Sequence, residues 1–277
     1  MSQTINTNLN SINAQRNLSM SQSSLSVSMQ RLSSGLRVNS AKDDPAGLAI
    51  AERMTSQVRG MNAAIRNAND GISMSQTAEG AMGKVTDSLQ RMRELSVQAA
   101  NATNSASDKD SLDKEFGELS KEIQRVLGGT AFNGKHILGA DATAFRFQVG
   151  ANTTADDTID ITTTNLTADA TITVVAGTDN TANAATIQGV VDKIDVALNT
   201  INSQRAVMGA SQSRFDAVIT NLQISVENQS AAKSRIMDTD FAAETANLSR
   251  SNILQQAGNA MIAQANQLPQ QVLTLLR

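Results

Sequence analysis

Apolar residues recur along this chain at helical spacing almost throughout. Near the start Ile5, Leu9 and Ile12 fall at i, i+4 and i+7; after a one-residue phase slip Leu18, Leu25, Met29, Leu32 and Leu36 resume the stripe. At the other end Leu254, Met261, Leu268 and Leu275 are spaced by sevens, with Ala257, Ala265 and Val272 between them. A spacing near 3.5 places such residues on one side of a helix, as a coiled-coil seam requires. Between the ends, Asp44-Pro45 reads as N-cap and first helical residue. Met54, Val58, Met61, Ile65, Ala68 and Ile72 then alternate by four and three, and Met82, Val85, Leu89 and Met92 carry the stripe to about Ala100. The Asn/Ser/Thr stretch 101–107 predicts a turn. A helix follows from near Ser107, with Asp110 in a capping-box position and a stripe of Leu112, Phe116, Leu119, Ile123 and Val126, stopped by Gly128-Gly129.

The longest alternation runs over 187–236 through Val191, Ile194, Leu198, Ile201, Met208, Phe215, Ile219, Leu222, Val226 and Ile236, interrupted by Arg205, Gln212, Gln229 and Lys233. A helix of ~50 residues is roughly 75 Å long, a rod rather than a globule. Mid-chain the period changes to two: Phe145, Phe147 and Val149, then Ile159 with Ile161, and Ile172 with Val174, a pattern that predicts hairpins. The expected fold is mainly α, with long antiparallel helices in a rod-like bundle or coiled coil and a small β-hairpin region in mid-chain. Residues 1–44 with 236–277 are expected to form a terminal coiled-coil core domain. Residues 45–150 with 187–235 are expected to form a helical rod domain with hairpins, and 151–186 a variable Thr/Asp/Ala-rich surface insert.

Composition sharpens this picture. The 277 residues include no Cys, Trp or Tyr, and all six Phe lie between Phe116 and Phe241. Aliphatic residues and Met must therefore build the cores, which suits helix packing. Without Cys there is no disulfide framework or thiolate metal site. His136 is the only histidine, which excludes an HExxH zinc site and leaves a triad on one turn residue. Neither catalytic residues nor cofactor or metal ligands are expected. The Gly80-Ala81-Met82-Gly83-Lys84 run lacks the spacing of a phosphate loop, and Asp156, Asp157 and Asp160 do not fit a calcium loop. A pI near 5.3 and the missing aromatics argue against nucleic acid. No Sec-type leader and no membrane-length apolar run are visible.

Charge is distributed unevenly. Arg16 is the only charged side chain from Met1 to Gln30, and there is none from Ser251 to Leu276. A solvated helix face normally carries charges, so uncharged amide-rich ends point to faces buried against other helices. Two readings remain at this point: two amphipathic helices packed within the chain, or termini that pair and then pack on neighbouring subunits.

Several long runs resemble bacterial flagellins: SLSVSMQRLSSGLRVNSAKDDPAGLAIAERM (24–54), NDGISMSQTAEGAM (69–82), LQRMRELSVQAANATNS (89–105), TAFNGKHIL (130–138), FQVGAN (147–152) and SRSNILQQAGNAMIAQANQLPQQVLTLLR (249–277). The resemblance covers essentially all of the chain except about 153–186, and it implies a short form without large outer domains. It implies an open helical homopolymer, the extracellular flagellar filament of swimming motility. The terminal helices would line its inner core through a seam of Ile5, Leu9, Ile12, Leu18, Leu25, Leu32, Leu254, Met261, Leu268 and Leu275. A hook–filament junction protein shares the same terminal pattern and is the alternative. The implied partners are a flagellin-specific export chaperone, the flagellar type III export apparatus, hook-associated junction and cap proteins, and the host Toll-like flagellin receptor, with no nucleic acid and no membrane. Arg91, Leu95 and Glu115 match the family's receptor-contact positions. Leu273, Leu275 and Leu276 resemble those read by cytosolic inflammasome receptors.

Overall fold

The computed structural model describes residues 7–176 and 184–275; for 176, 184–186 and 268–275 only the backbone is described. The expected seam positions Ile5, Leu268 and Leu275, and the inflammasome positions Leu273, Leu275 and Leu276, have side chains outside the described residues. Among the described residues there are six α-helices: α1 (Leu9–Ser34), α2 (Pro45–Ala99), α3 (Ala106–Gly129), α4 (Ala170–Ala176), α5 (Ala184–Met237) and α6 (Phe241–Leu275). Four short strands lie between α3 and α4: β1 (Ala131–Phe132), β2 (Lys135–His136), β3 (Ala144–Gln148) and β4 (Thr158–Thr162). The fold is mainly α, as the periodicity predicts.

The helix boundaries follow from side-chain chemistry. Asp44 accepts the Gly47 N–H at 2.8 Å, so the Asp-Pro pair does start α2. The capping box of α3 lies two residues earlier than expected. Ser105 is the N-cap, and Asp108, not Asp110, reaches back to the Ser105 N–H at 2.9 Å. Asp110 instead pairs with Lys114 at 2.7 Å. Gly35 ends α1 at φ 72, the left-handed position that glycine adopts without strain.

The chain divides into two compact units, Gln57–Glu227 and Met1–Ser56 with Asn228–Arg277. In the first, α2 and α5 run antiparallel. Arg93 pairs with Asp195 at 2.8 Å, Gln212 donates to Glu79 at 3.0 Å, and the Phe215 ring presses on Gly71. The core is a layered stripe in which Ala78, Met82, Val85, Leu89 and Met92 of α2 meet Ile194, Ile201, Met208 and Phe215 of α5, all essentially inaccessible. Phe116, Ile123 and Leu127 of α3 close the third side. Buried hydroxyls on α2 are satisfied inside their own helix, Ser75 to Gly71, Thr86 to Met82 and Ser96 to Met92. Arg205 and Gln212, which interrupt the seam in sequence, both turn to Glu79, with Arg205 at 3.9 Å.

The hairpin region matches the alternation for two of its three pairs. β1 and β2 are antiparallel, with Ala131 opposite His136, and Asn133 and Gly134 at φ 48 and 78 make the turn. β3 pairs with β4, Phe145 opposite Ile161 and Phe147 opposite Ile159. Ile159 and Ile161 face the core, and Phe147 meets Phe215 edge-on at 5.7 Å between centroids. Ile172 and Val174 do not form a strand. They lie in α4, where Asp169 accepts the Thr171 N–H at 2.8 Å and Ile172 and Val175, three apart, are buried. Two apolar residues at i and i+2 carry too little period to separate strand from helix.

Candidate assembly surface

The second unit is built around α1 and α6. Its helices are antiparallel, and their register is fixed by contacts that rise along one helix as they fall along the other. Asn8 Nδ2 donates to the Ala265 carbonyl at 2.8 Å, Leu18 packs on Gly258, and Arg31 lies 3.8 Å from Glu244. Beyond the helix end Arg37 N–H donates to the Met237 carbonyl and Thr239 N–H to that of Gly35, at 2.6 and 2.9 Å. A Cβ on Gly258 would sit 3.2 Å from Leu18 Cδ1, so the glycine lets the two backbones approach. Asn8 also caps α1, accepting the Ser11 N–H at 3.1 Å.

One helix face is thereby used, and others are left open. Leu18, Leu25 and Leu32 are half-buried and lie within an arc of about 40° on the side of α1 that carries buried Ser11 and Ser28. Leu9, Ile12, Met20 and Val27 lie within about 80° on the opposite side. All four are exposed, Leu9 by 68% and Met20 by 56%. On α6 the buried or half-buried positions with described side chains are Glu244, Leu248, Ser251, Gln255, Gly258, Ile262 and Ala265. Leu254 and Met261 stand at the rim, where with Asn13, Leu18, Gly258 and Ala265 they border an open groove of about 790 Å³. Ile253 is 66% exposed. The expected seam is thus two sets: Leu18, Leu25 and Leu32 against α6, and Leu9, Ile12, Leu254 and Met261 facing outward. Met20, Val27 and Ile253 extend the open faces. The signal for Met20 and Val27 was available, since Val27 lies 18 residues, five whole turns, from Leu9.

Exposed large apolar side chains in this density, on helices almost free of charge, mark a contact surface rather than a solvated one. Among the described residues no cluster of His, Asp or Glu is arranged to hold a metal ion, and no helix is long and apolar enough to cross a membrane.

Arg91, Leu95 and Glu115, the positions expected to contact a receptor, lie on the first unit. Arg91 joins α2 to α3 through Glu115 at 2.9 Å and also meets Glu94 at 3.1 Å. Both carboxylates raise the Arg91 pKa, chiefly through the Glu115 hydrogen bond. Arg91 and Glu115 are about half exposed, whereas Leu95, one turn along, is fully buried among Met92, Phe116 and their neighbours. The structure brings Arg91 and Glu115 together on the surface and sets Leu95 beneath it.

A chain whose two ends pair as antiparallel helices, with apolar faces open on both, has the form of an assembly subunit. Sequence comparison gives the family. Residues 5–143 match the bacterial flagellin N-terminal helical region, and residues 191–276 the bacterial flagellin C-terminal helical region. The chain is 45% identical to a flagellin of Halalkalibacterium halodurans over 273 residues, covering 99% of both. It is 41% identical to a Bacillus subtilis flagellin, again covering 99% of both. The chain belongs to the bacterial flagellins, and it is a structural subunit of the extracellular flagellar filament, a short form without a large inserted domain. A putative flagellar hook-associated protein of Vibrio parahaemolyticus shares the fold, with a TM-score of 0.58 over 71% of this chain and 100% of its own, at 14% identity. That likeness is one of fold and does not favour the junction-protein alternative.

Proposed function

We propose that this flagellin polymerises through the open faces of α1 and α6, with residues 1–44 and 236–277 forming the inner core of the filament. The observation that carries the reading is the outward set Leu9, Ile12, Met20, Val27, Ile253, Leu254 and Met261, exposed in the single chain on helices with almost no charge. Neutral faces suit a contact repeated along a polymer, because like charges stacked at every repeat would repel. Contacts of this kind that do not close into a ring give an open helix. Residues 45–150 and 187–235 form the helical rod domain, to whose core the described part of 151–186 adds Ile159, Ile161, Leu166, Ile172 and Val175. The test is a chain lacking 251–277: it should stay a soluble monomer under conditions in which the full chain forms filaments. Long filaments from the truncated chain would refute the reading.

The same segment is the proposed chaperone site. Its apolar faces would be aggregation-prone before export, so a flagellin-specific chaperone should bind the full chain and not the chain lacking 251–277. Passage through the type III apparatus fits a chain with no disulfide to break. Hook-associated junction and cap proteins would meet the filament ends through the same terminal helices. For host recognition, Arg91 and Glu115 present a paired surface that a Toll-like receptor could read on the monomer, with Leu95 holding the α2–α3 packing beneath it. Leu273, Leu275 and Leu276 are proposed for the cytosolic receptor.

A further inference from the structure

We infer that Met20, Met29 and Met261 are oxidation sites through which peroxide-class oxidants block assembly of the monomer. The inference rests on the proposed polymerisation through α1 and α6. The chain has no Cys, Trp or Tyr, so its 11 thioethers are the side chains most open to two-electron oxidation. The structure sorts them sharply. Met61, Met74, Met82, Met92 and Met208 are buried, whereas Met20, Met29 and Met261 are 56%, 58% and 60% exposed, all on α1 and α6. Met54 and Met237 are half-buried.

Position gives the modification its effect. Met20 stands in the open stripe of Leu9, Ile12 and Val27, and Met261 on the groove rim beside Leu254 and Gly258. Met29, five whole turns from Ser11, stands outside that stripe and is exposed nonetheless. In the reaction the thioether sulfur attacks one peroxide oxygen and gives up two electrons. An S–O bond forms, the O–O bond breaks, and with its protons the departing oxygen leaves as water. The product replaces a flexible apolar group by a polar sulfoxide. A surface meant to be covered by apolar neighbours then holds a strong acceptor without a donor, which is costly to bury. The buried methionines of the first unit meet no oxidant until that unit opens. Assembly therefore protects what the monomer exposes: once covered, Met20 and Met261 are out of reach.

The test uses the full chain and hydrogen peroxide. Peptide mass mapping of treated monomer should show Met20, Met29 and Met261 oxidised well ahead of Met61, Met74, Met82, Met92 and Met208. Seeded polymerisation, followed by light scattering and sedimentation, should then show a critical concentration raised at least about tenfold. Treatment with methionine sulfoxide reductases of both stereospecificities should restore it. The M20L/M29L/M261L variant should keep polymerising after peroxide. Where that variant does not assemble untreated, the reductase arm on the wild-type chain decides. Wild-type monomer fully oxidised at the three positions that assembles normally overturns the inference, as does equal sensitivity of the leucine variant. Intact filaments separate the two readings. If Met20 and Met261 oxidise there as fast as in monomer, assembly through these faces is itself refuted. If they are protected while oxidised monomer assembles normally, only the oxidation inference falls.

Discussion

The contact of Phe215 with Gly71 makes a sign-changing prediction. Gly71 is buried in the interior of α2, where glycine costs about 1 kcal/mol relative to alanine. Its tolerance has a visible reason: a Cβ there would sit 2.7 and 2.9 Å from two carbons of the Phe215 ring. That ring is fully buried and wedged edge-on against Phe147, so it cannot swing aside. Overpacking of this kind costs about 1–3 kcal/mol. G71A should therefore destabilise the wild-type chain by about 0–2 kcal/mol, the clash exceeding the helix gain. F215A removes the ring at a cost of about 3–5 kcal/mol. Within F215A, the same G71A change should stabilise by about 1 kcal/mol, because only the helix term remains. The difference between the two backgrounds is a coupling of about 1–3 kcal/mol. Urea unfolding of the monomer followed by far-ultraviolet circular dichroism measures all four corners, with F215L as a gentler substitute if F215A is too unstable. A coupling below about 0.5 kcal/mol would show that the ring does not determine the residue at 71.

Further outcomes follow from the same structure. Placing a charge in the open stripe, as in M20D or V27D, should abolish filaments while leaving the unfolding midpoint of the first unit unchanged; normal filaments would contradict the assembly surface. R91D should weaken receptor signalling by monomer at a small cost in stability, since it removes the half-exposed pair with Glu115, whereas L95A should cost about 2–5 kcal/mol of stability as a core truncation; a thermally unaltered L95A would refute its placement. The carboxyls of Asp43, Asp108 and Asp157 are held below the usual range by hydrogen bonds from the Ser40, Ser105 and Thr154 hydroxyls, and those of Asp160 and Glu122 by Arg146 and Arg125. Because these folded-state values are depressed, their stabilisation is present above the ordinary carboxylate range near about 4 and is lost as pH falls through and below it. Melting temperature should be flat from neutral pH to about 5 and drop below about 4; a rise on acidification would oppose these assignments.

How far the fold could be read beforehand depends on how much period each segment carries. Along α2 and α5 the four-three alternation is sustained over many turns and predicts the buried stripe correctly. In α4 the two-residue alternation consists only of Ile172 and Val174, whereas the buried pair is Ile172 with Val175 beneath the Asp169 cap. At α3 the residue types of the capping box were right, but two Ser-x-x-Asp frames overlap in 105–110, and geometry chooses Ser105. The fit between Gly71 and Phe215 joins residues far apart in sequence and leaves no local pattern at all.

The terminal helices show why a seam read as one stripe becomes two surfaces. An α-helix of 3.6 residues per turn drifts against a strict seven-residue repeat by about 20° per heptad. Leu18, Leu25 and Leu32 keep that repeat and stay on the α6 side, while Leu9 and Ile12, reached across the phase slip, come out on the other. On α6, Leu254 and Met261 are seven apart and both stand at the rim, because the floor is given to Ser251, Gly258 and Ala265, small enough for α1 to approach. On α6 the small Ser251, Gly258 and Ala265 fill much of the intramolecular contact, against Leu18, Leu25 and Leu32 of α1, while Leu254 and Met261 are left facing out. A helix pair that folded only for its own sake would bury most of its large apolar side chains, whereas Leu9, Ile12, Met20, Val27, Ile253, Leu254 and Met261 stay exposed here. That excess of exposed apolar side chains is what distinguishes a subunit awaiting neighbours from a finished hairpin. It also locates the vulnerability of the monomer in the side chains, Met20 and Met261 among them, that its neighbours are needed to cover.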